Sequence, residues 1–347
     1  MMRLGTVLLT ATITVLLLWL LAGCTGGDDA RGSQQHEAGV DGSSDQEQVQ
    51  RAVSGEPTPS TDDCKPVEDP VGEIAYDVNF DIWTMNTDGS NPTRLTHDGS
   101  KRFEYSPAYS PDGEKIAFVK EVEDNVLKVV VMDANGCNQV ELPLPEGKAA
   151  YEPSWSPDGR RITFWDTGAC GIFITNSDGS GTPRPLPTPG ISGCVARPKW
   201  SPDGTQIAFE GDSQDSWADI YLVDITPEGA TSRPQRLLTD DNFQEVAQPS
   251  WSPDGTEIAF SGIRSGYRAI FKIDVNSLEE TRLTKGSDTE TSPTWSPDGA
   301  KIAYVRSTSD TTSIYMVGSD GSAPTVVRVF PARDFPFGVG PPDWRPP

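Results

Sequence analysis

The chain has 347 residues, with 28 Lys and Arg against 51 Asp and Glu, for a formal net charge of −23. That balance excludes nucleic acid and direct adhesion to an anionic membrane surface, because both need clustered cations. It suits a soluble protein outside the cytoplasm whose acidity supplies solubility.

Arg3 precedes an apolar stretch from Leu4 to Leu21, broken only by Gly, Thr and Ala, and the stretch ends Leu21-Ala22-Gly23-Cys24. Small residues before Cys24 and an abrupt polar switch after it resemble the bacterial lipobox. The resemblance implies a signal peptide over 1–23 and a diacylglyceryl group on Cys24, which becomes the first mature residue. An uncleaved anchor is the alternative, since the stretch is nearly long enough to span a bilayer. Either way the rest of the chain is expected outside the cytoplasm, attached to the membrane through this anchor alone.

Residues 24–70 follow as a segment rich in Gly, Ser, Gln, Asp and Glu, with 11 acidic and three basic residues over 25–70. So few large apolar side chains cannot offset the entropy of ordering. This segment is expected to be an extended, self-repelling acidic tether.

From residue 71 to 347 one pattern recurs, Pro-x-[Trp/Tyr]-Ser-Pro-Asp-Gly. It occupies Pro107–Gly113, Pro153–Gly159, Pro198–Gly204, Pro249–Gly255 and Pro293–Gly299, and its aromatics are spaced by 46, 45, 51 and 44 residues. Repeats of this period are units that cannot bury their apolar faces alone. Ser-Pro-Asp-Gly is turn chemistry, with Pro setting φ and Gly accepting the exit. Apolar runs such as Ile116-Ala117-Phe118 and Ile258-Ala259-Phe260 follow each turn, then alternating runs such as Ile172–Thr175, then Asn/Asp/Gly turns and a short last strand such as Arg282-Leu283-Thr284. Each unit reads as a four-stranded meander, and a radial array of these is an all-β propeller.

The blade count comes from the ends. Residues 72–96 contain Ile74-Ala75-Tyr76, Asp81-Ile82-Trp83 and Arg94-Leu95-Thr96 but no Trp strand, whereas the C-terminus carries a spare one, Pro342-Asp343-Trp344-Arg345-Pro346. Five whole units and one split unit predict six blades, with residues 342–346 pairing onto Ile74-Ala75-Tyr76. Closure removes the unpaired edge an incomplete blade would leave.

The repeats resemble those of the TolB family and are similar to the non-catalytic propellers of prolyl oligopeptidase-type peptidases. The likeness covers about residues 71–347 and leaves no room before it for the mixed α/β domain that TolB carries. It implies the propeller fold and a part in envelope integrity through protein partners. The motif residues themselves, Asp112, Asp158 and Asp203 among them, are turn formers and are not expected to hold metal.

With Cys24 assigned to lipid, Cys64, Cys137, Cys170 and Cys194 remain, and in an oxidising compartment they suggest two disulfides. Three connectivities exist. The meander opens the loops of Cys170 and Cys194 on one face and those of Cys64 and Cys137 on the other, so Cys170–Cys194 and Cys64–Cys137 are preferred. Zinc is disfavoured, because there is no Cys-x-x-Cys and only His36 and His97.

Catalytic signatures are lacking: no placed His for a triad, no Gly-x-Ser-x-Gly, no phosphate-binding loop. No cofactor is expected. The candidate site is therefore a binding surface where the loops before the Trp strands converge, carrying Arg102, Glu104, Glu152, Arg197, Glu245, Gln248, Asp288 and Glu290. Loops on a rigid scaffold are where binding concentrates. As loop charges they are expected to matter little for stability.

The expected function is that of a monomeric, lipid-anchored binding module for a protein or glycan of the cell envelope. One alternative is a polysaccharide-acting enzyme using paired carboxylates. Another is an accessory or sensor subunit of a transport or signalling complex. Exposed aromatics beside paired carboxylates would favour the glycan, and a flat apolar patch without a cleft the protein.

Overall fold

The computed structural model describes residues 73–347 apart from 98–101, 124, 146–148, 214–215, 227–228, 231, 239–242 and 287. The expected signal peptide, Cys24, the expected tether and Cys64 lie outside the described residues. The chain forms a six-bladed propeller. The first blade begins with β1 (Ile74–Val78), β2 (Asp81–Met85) and β3 (Thr93–Arg94). Blade two is β4 (Glu104–Tyr109), β5 (Lys115–Glu123), β6 (Val126–Asp133) and β7 (Val140–Glu141), and blade three is β8 (Tyr151–Trp155), β9 (Arg161–Asp166), β10 (Gly171–Asn176) and β11 (Arg184–Pro185). Blade four is β12 (Val195–Trp200), β13 (Gln206–Ser213), β14 (Ser216–Thr226), β15 (Gly229–Ala230) and β16 (Gln235–Arg236). Blade five is β17 (Glu245–Trp251), β18 (Glu257–Arg264), β19 (Tyr267–Asp274) and β20 (Glu280–Arg282). Blade six is β21 (Thr289–Trp295), β22 (Lys301–Ser307), β23 (Thr311–Gly318) and β24 (Thr325–Pro331), after which β25 (Asp343–Trp344) returns to the first blade.

The repeated turn is held by one device. The Ser hydroxyl reaches the Asp carboxylate two residues on at 2.5–2.6 Å in all five copies. The same Ser oxygen accepts the N–H five residues on, for example from Lys115 and Gln206. Gly closes each turn at φ between +67° and +72°, which a side chain would strain. These contacts hold the aspartates below the usual carboxylate range, so they are anchored turn formers, as expected.

Apolar side chains sit between blades rather than within them. Ala75, Ile82 and Leu95 of the first blade pack with Tyr109, Phe118 and Val130 of the second. Equivalent layers fill the other five junctions. Each blade thus needs two neighbours, and the ring must close. It closes as the repeat predicts: Ile74 pairs with Trp344 and Ala75 with Asp343. The amides of Arg345 and Gly340 extend the seam to the carbonyls of Glu73 and Asp77. Trp344 takes the place of the aromatics in whole blades. Its indole N–H donates to the carbonyl of Thr294, as Trp155 does to Ala108 and Trp251 to Lys199.

Departures from strict repetition appear. The outer strand β24 is seven residues long where a short one was expected. Blades four and five also join through a parallel bridge, Trp217 to Glu245. The disulfide Cys170–Cys194 is formed. It links the loop between the second and third strands of blade three to the loop entering blade four, so both loop types open on one face, hereafter the loop face. The Ser-Pro-Asp-Gly turns lie on the other, the turn face. Cys137 is disulfide-bonded as well, and its expected partner Cys64 is outside the described residues.

Candidate functional site: the central channel

The inner strands line the channel, and each whole blade bends there at the residue before the motif Pro. Ser106, Glu152, Arg197, Gln248 and Ser292 all adopt left-handed backbone, with φ of 46–61°. Proline disfavours right-handed helical geometry in the residue before it. The pairing register slips across each of these positions. Such bulges re-aim a side chain, and here all five residues border one cavity of about 320 Å³. In the split blade Pro341 and Pro342 fill the equivalent place.

At this level the side chains link the blades. Arg197 Nε lies 3.0 Å from Glu152 Oε2 of blade three, and its Nη1 lies 2.7 Å from Glu210 Oε2. The other oxygen of Glu210 accepts the Gln248 backbone N–H of blade five. Gln248 Oε1 accepts the Ser292 N–H at 2.8 Å and the Ser261 hydroxyl at 3.0 Å, and its Nε2 donates to Ser292 Oγ at 2.9 Å. On the far side Asp77 accepts the Ser106 N–H at 2.8 Å. Burial pushes the Glu210 carboxyl upward despite Arg197. Burial also works against charge on Arg197, but Glu152 and Glu210 overcome it and hold the guanidinium protonated.

Two residues beyond the bulge, the residue before the aromatic borders the cavity in blades four, five and six and, as Asp343, in the split blade. Blade four contributes Lys199 and the split blade, three positions around the ring, contributes Asp343; both border the cavity. Asp343 accepts the Tyr109 N–H at 2.7 Å. Burial pushes its carboxyl up to about 6, against the field of Lys199. Pro107, Pro153, Pro249 and Pro293 with Trp155, Trp200, Trp251 and Trp295 complete the wall. The result is a cavity with an apolar wall, an ammonium and a carboxylate on opposite sides, and a polar neck. No group of three or more His, Cys, Asp and Glu suited to a metal occurs among the described residues.

Of the eight residues singled out from sequence, Glu152, Arg197 and Gln248 border this cavity. The other five are placed elsewhere. Arg102 is exposed before β4, with Nη1 3.4 Å from the Glu121 carbonyl. Glu104 is fully buried against Lys120 Nζ at 3.0 Å. Glu245 pairs with Arg268 at 2.7 Å. Asp288 and Glu290 share Arg306, at 3.3 and 3.1 Å, and Glu290 also accepts the Thr284 hydroxyl. Sequence reasoning did not single out Asp77, Lys199, Glu210 and Asp343. Their signal was present in the repeat columns. The position after Ile-x-[Phe/Tyr] reads Asp77, Val119, Trp165, Glu210, Ser261, Val305, and the position before the aromatic reads Ala108, Ser154, Lys199, Ser250, Thr294, Asp343.

Buried Asp77 should make the stability of the fold depend on pH. Burial pushes its carboxyl up to about 7, partly offset by the N–H groups of Ser106 and Gly340 and reinforced by Glu152. Between roughly pH 4, the unfolded value, and 7 the folded chain therefore holds a proton that the unfolded chain releases. Stability from this group is complete below that window and is lost as pH rises through it. Thermal melts from pH 5 to 8 should show a falling Tm. Asp77→Asn, whose amide oxygen still accepts the Ser106 N–H, should flatten the slope. A variant slope equal to wild type would remove Asp77 from the account.

A TolB beta propeller domain family model matches residues 115–328. The protein described as Protein TolB homolog from Protochlamydia amoebophila (strain UWE25) is 40% identical over 70 residues, which is 19% of this chain and 14% of that relative's length. The crystal structure of TolB from Acinetobacter baumannii superposes with a TM-score of 0.65 at 23% identity, covering 80% of this chain and 67% of that one. A chain of a nidogen/laminin complex gives 0.62 at 12% identity, covering 79% and 98%. At such identities the structural likenesses speak for the fold alone.

Proposed function

Because the chain belongs to the TolB β-propeller family, we propose that it is a binding module of the bacterial envelope, tethered by lipid on Cys24, which captures a partner protein through its central channel. The observation that carries this reading is the cavity of about 320 Å³ enclosed by all six inner strands, with Lys199 and Asp343 on opposite walls. A concave, mostly apolar wall with few charged groups is the usual make-up of a binding site. The carboxylates that an acid–base enzyme would need are largely tied up. Glu104 pairs with Lys120, Glu290 with Arg306, and Glu152 and Glu210 with Arg197. Binding is therefore the better-supported use of these residues than turnover.

Site-specific photo-crosslinking in intact cells tests the proposal. A photoreactive residue at Ser250, on the channel wall, should capture a discrete envelope protein, and one at Val140 on the outer rim should not. Lys199→Glu should reduce that capture. Equal capture from both positions, or none from Ser250, would reject the channel as the site.

The tether is tested separately. Cys24→Ser should abolish incorporation of labelled fatty acid and release the protein from the membrane fraction. Continued labelling, or a mature N-terminus other than Cys24, would overturn the lipid assignment.

A further inference from the structure

On the loop face, away from the cavity, three phenylalanines from distant parts of the chain pack together. Phe80 lies in the β1–β2 turn, Phe103 before β4 and Phe337 before β25. The Phe80 ring sits 4.4 Å from that of Phe103, edge-on, and 4.5 Å from that of Phe337. Phe103 is 44% exposed and Phe337 49%.

The backbone beneath Phe80 is strained. Asn79 and Phe80 are the two residues of a hairpin loop, with φ of 50° and 66°. That turn wants glycine at its second position, and a bulky side chain there is an outlier. Blade five makes the same two-residue turn with Ser265 and Gly266, at φ of 58° and 83°. Strain of this kind persists where surroundings enforce it and points to function. Here it places an aromatic ring beneath two half-exposed ones.

We propose that Phe80, Phe103 and Phe337 form a docking patch for a short extended segment of a partner protein, one large apolar side chain flanked by acidic residues. Three observations select this occupant. The exposed parts of Phe103 and Phe337 amount to about 200 Å², far below the roughly 800 Å² per partner of a stable protein interface. A second copy also carries −23 and is repelled. Lastly, two arginines edge the patch in an otherwise strongly acidic protein. Arg102 adjoins Phe103 and forms no ion pair among the described residues, and Arg333, 84% exposed, touches only its neighbour Asp334 among them. The Asp334 carbonyl in turn meets the Asn79 amide. The nearby Glu121 carboxylate is occupied by the N–H groups of Phe103 and Asn125.

A random decapeptide phage library panned on the full chain, with depletion on Phe103→Ser/Phe337→Ser, tests this patch independently of the channel. Enriched sequences should carry one Phe, Leu, Ile or Trp with Asp or Glu within three residues. As synthetic peptides in fluorescence anisotropy they should lose at least tenfold affinity for the double variant and severalfold for Arg102→Glu. Should the double variant fold poorly, Phe337→Ser and Arg102→Glu alone carry the test. No enrichment, enrichment without an apolar anchor or acidic flank, or equal affinity for the variants would overturn the proposal. So would a Phe-dependent dimer in sedimentation velocity, or Phe-dependent pelleting with phosphatidylcholine/phosphatidylglycerol vesicles, which would reassign the patch to a second copy or to a bilayer.

Discussion

Removal of residues 341–347 should leave the propeller unfolded, or lower its Tm by more than 15 °C, in calorimetric or circular dichroism melts. Those residues supply the inner strand of the first blade. Trp344 is buried among Tyr76, Met316 and Phe330, at the junction with blade six, and its indole reaches Thr294. On the other side Asp343 and Arg345 bind the Tyr109 amide and the Gly113 carbonyl of blade two. Losing one large buried aromatic costs about 3–5 kcal/mol, against a total stability of about 5–15 kcal/mol for a domain. The deletion adds to this the loss of the strand's hydrogen bonds and opens two blade junctions. Trp344→Ala alone should account for about 3–5 kcal/mol of the effect. A truncated chain melting like the intact one would show that the ring holds without its closing strand.

The second large effect is expected at Arg197. Arg197→Ala should destabilise the domain by about 3–5 kcal/mol, because it leaves buried carboxylates without their cation. Glu210 is 7% exposed and Glu152 23%, and Arg197 itself is 20%. With the guanidinium gone, the Glu210 carboxyl rises further, so the variant should regain stability as pH falls and the acid protonates. Replacing the triad together, as Arg197→Met with Glu152→Gln and Glu210→Gln, should recover much of the loss. Denaturant melts at pH 5 and 7.5 measure all three outcomes. A single-variant loss below about 1 kcal/mol would mean that the triad behaves as a surface network. This corrects the expectation from sequence that Glu152 and Arg197 are solvated loop charges whose removal hardly affects stability. The motif Pro turns the residue before it into a left-handed bulge, which points the side chain inward.

The fold was legible because packing and turn chemistry repeat. Ser-Pro-Asp-Gly, the aromatic before it and Ile-x-[Phe/Tyr] after it each meet the same physical demand in every blade, so their period carries the architecture and even the split blade. The Cys170–Cys194 link followed from the same meander. The site was less legible, for the complementary reason. Lys199, Glu210 and Asp343 occupy columns where the blades differ, and one copy of each has no period. Whether Glu104 faces solvent or Lys120 depends on a cross-strand partner that lies 16 positions on. Nothing local in the sequence announces that the turn at Asn79 and Phe80 will take Phe where blade five takes Gly266.

The split first blade also bears on the order in which the protein can fold. A blade whose inner strand is made last cannot be completed while the chain is still being synthesised. Until Trp344 emerges, Ile74 and Tyr76 lack their cover and the apolar layer of the opening blade stays incomplete. The ring therefore cannot close until the last strand has been made. Joining the two ends in one sheet makes closure the final step, whatever the order in which the whole blades form.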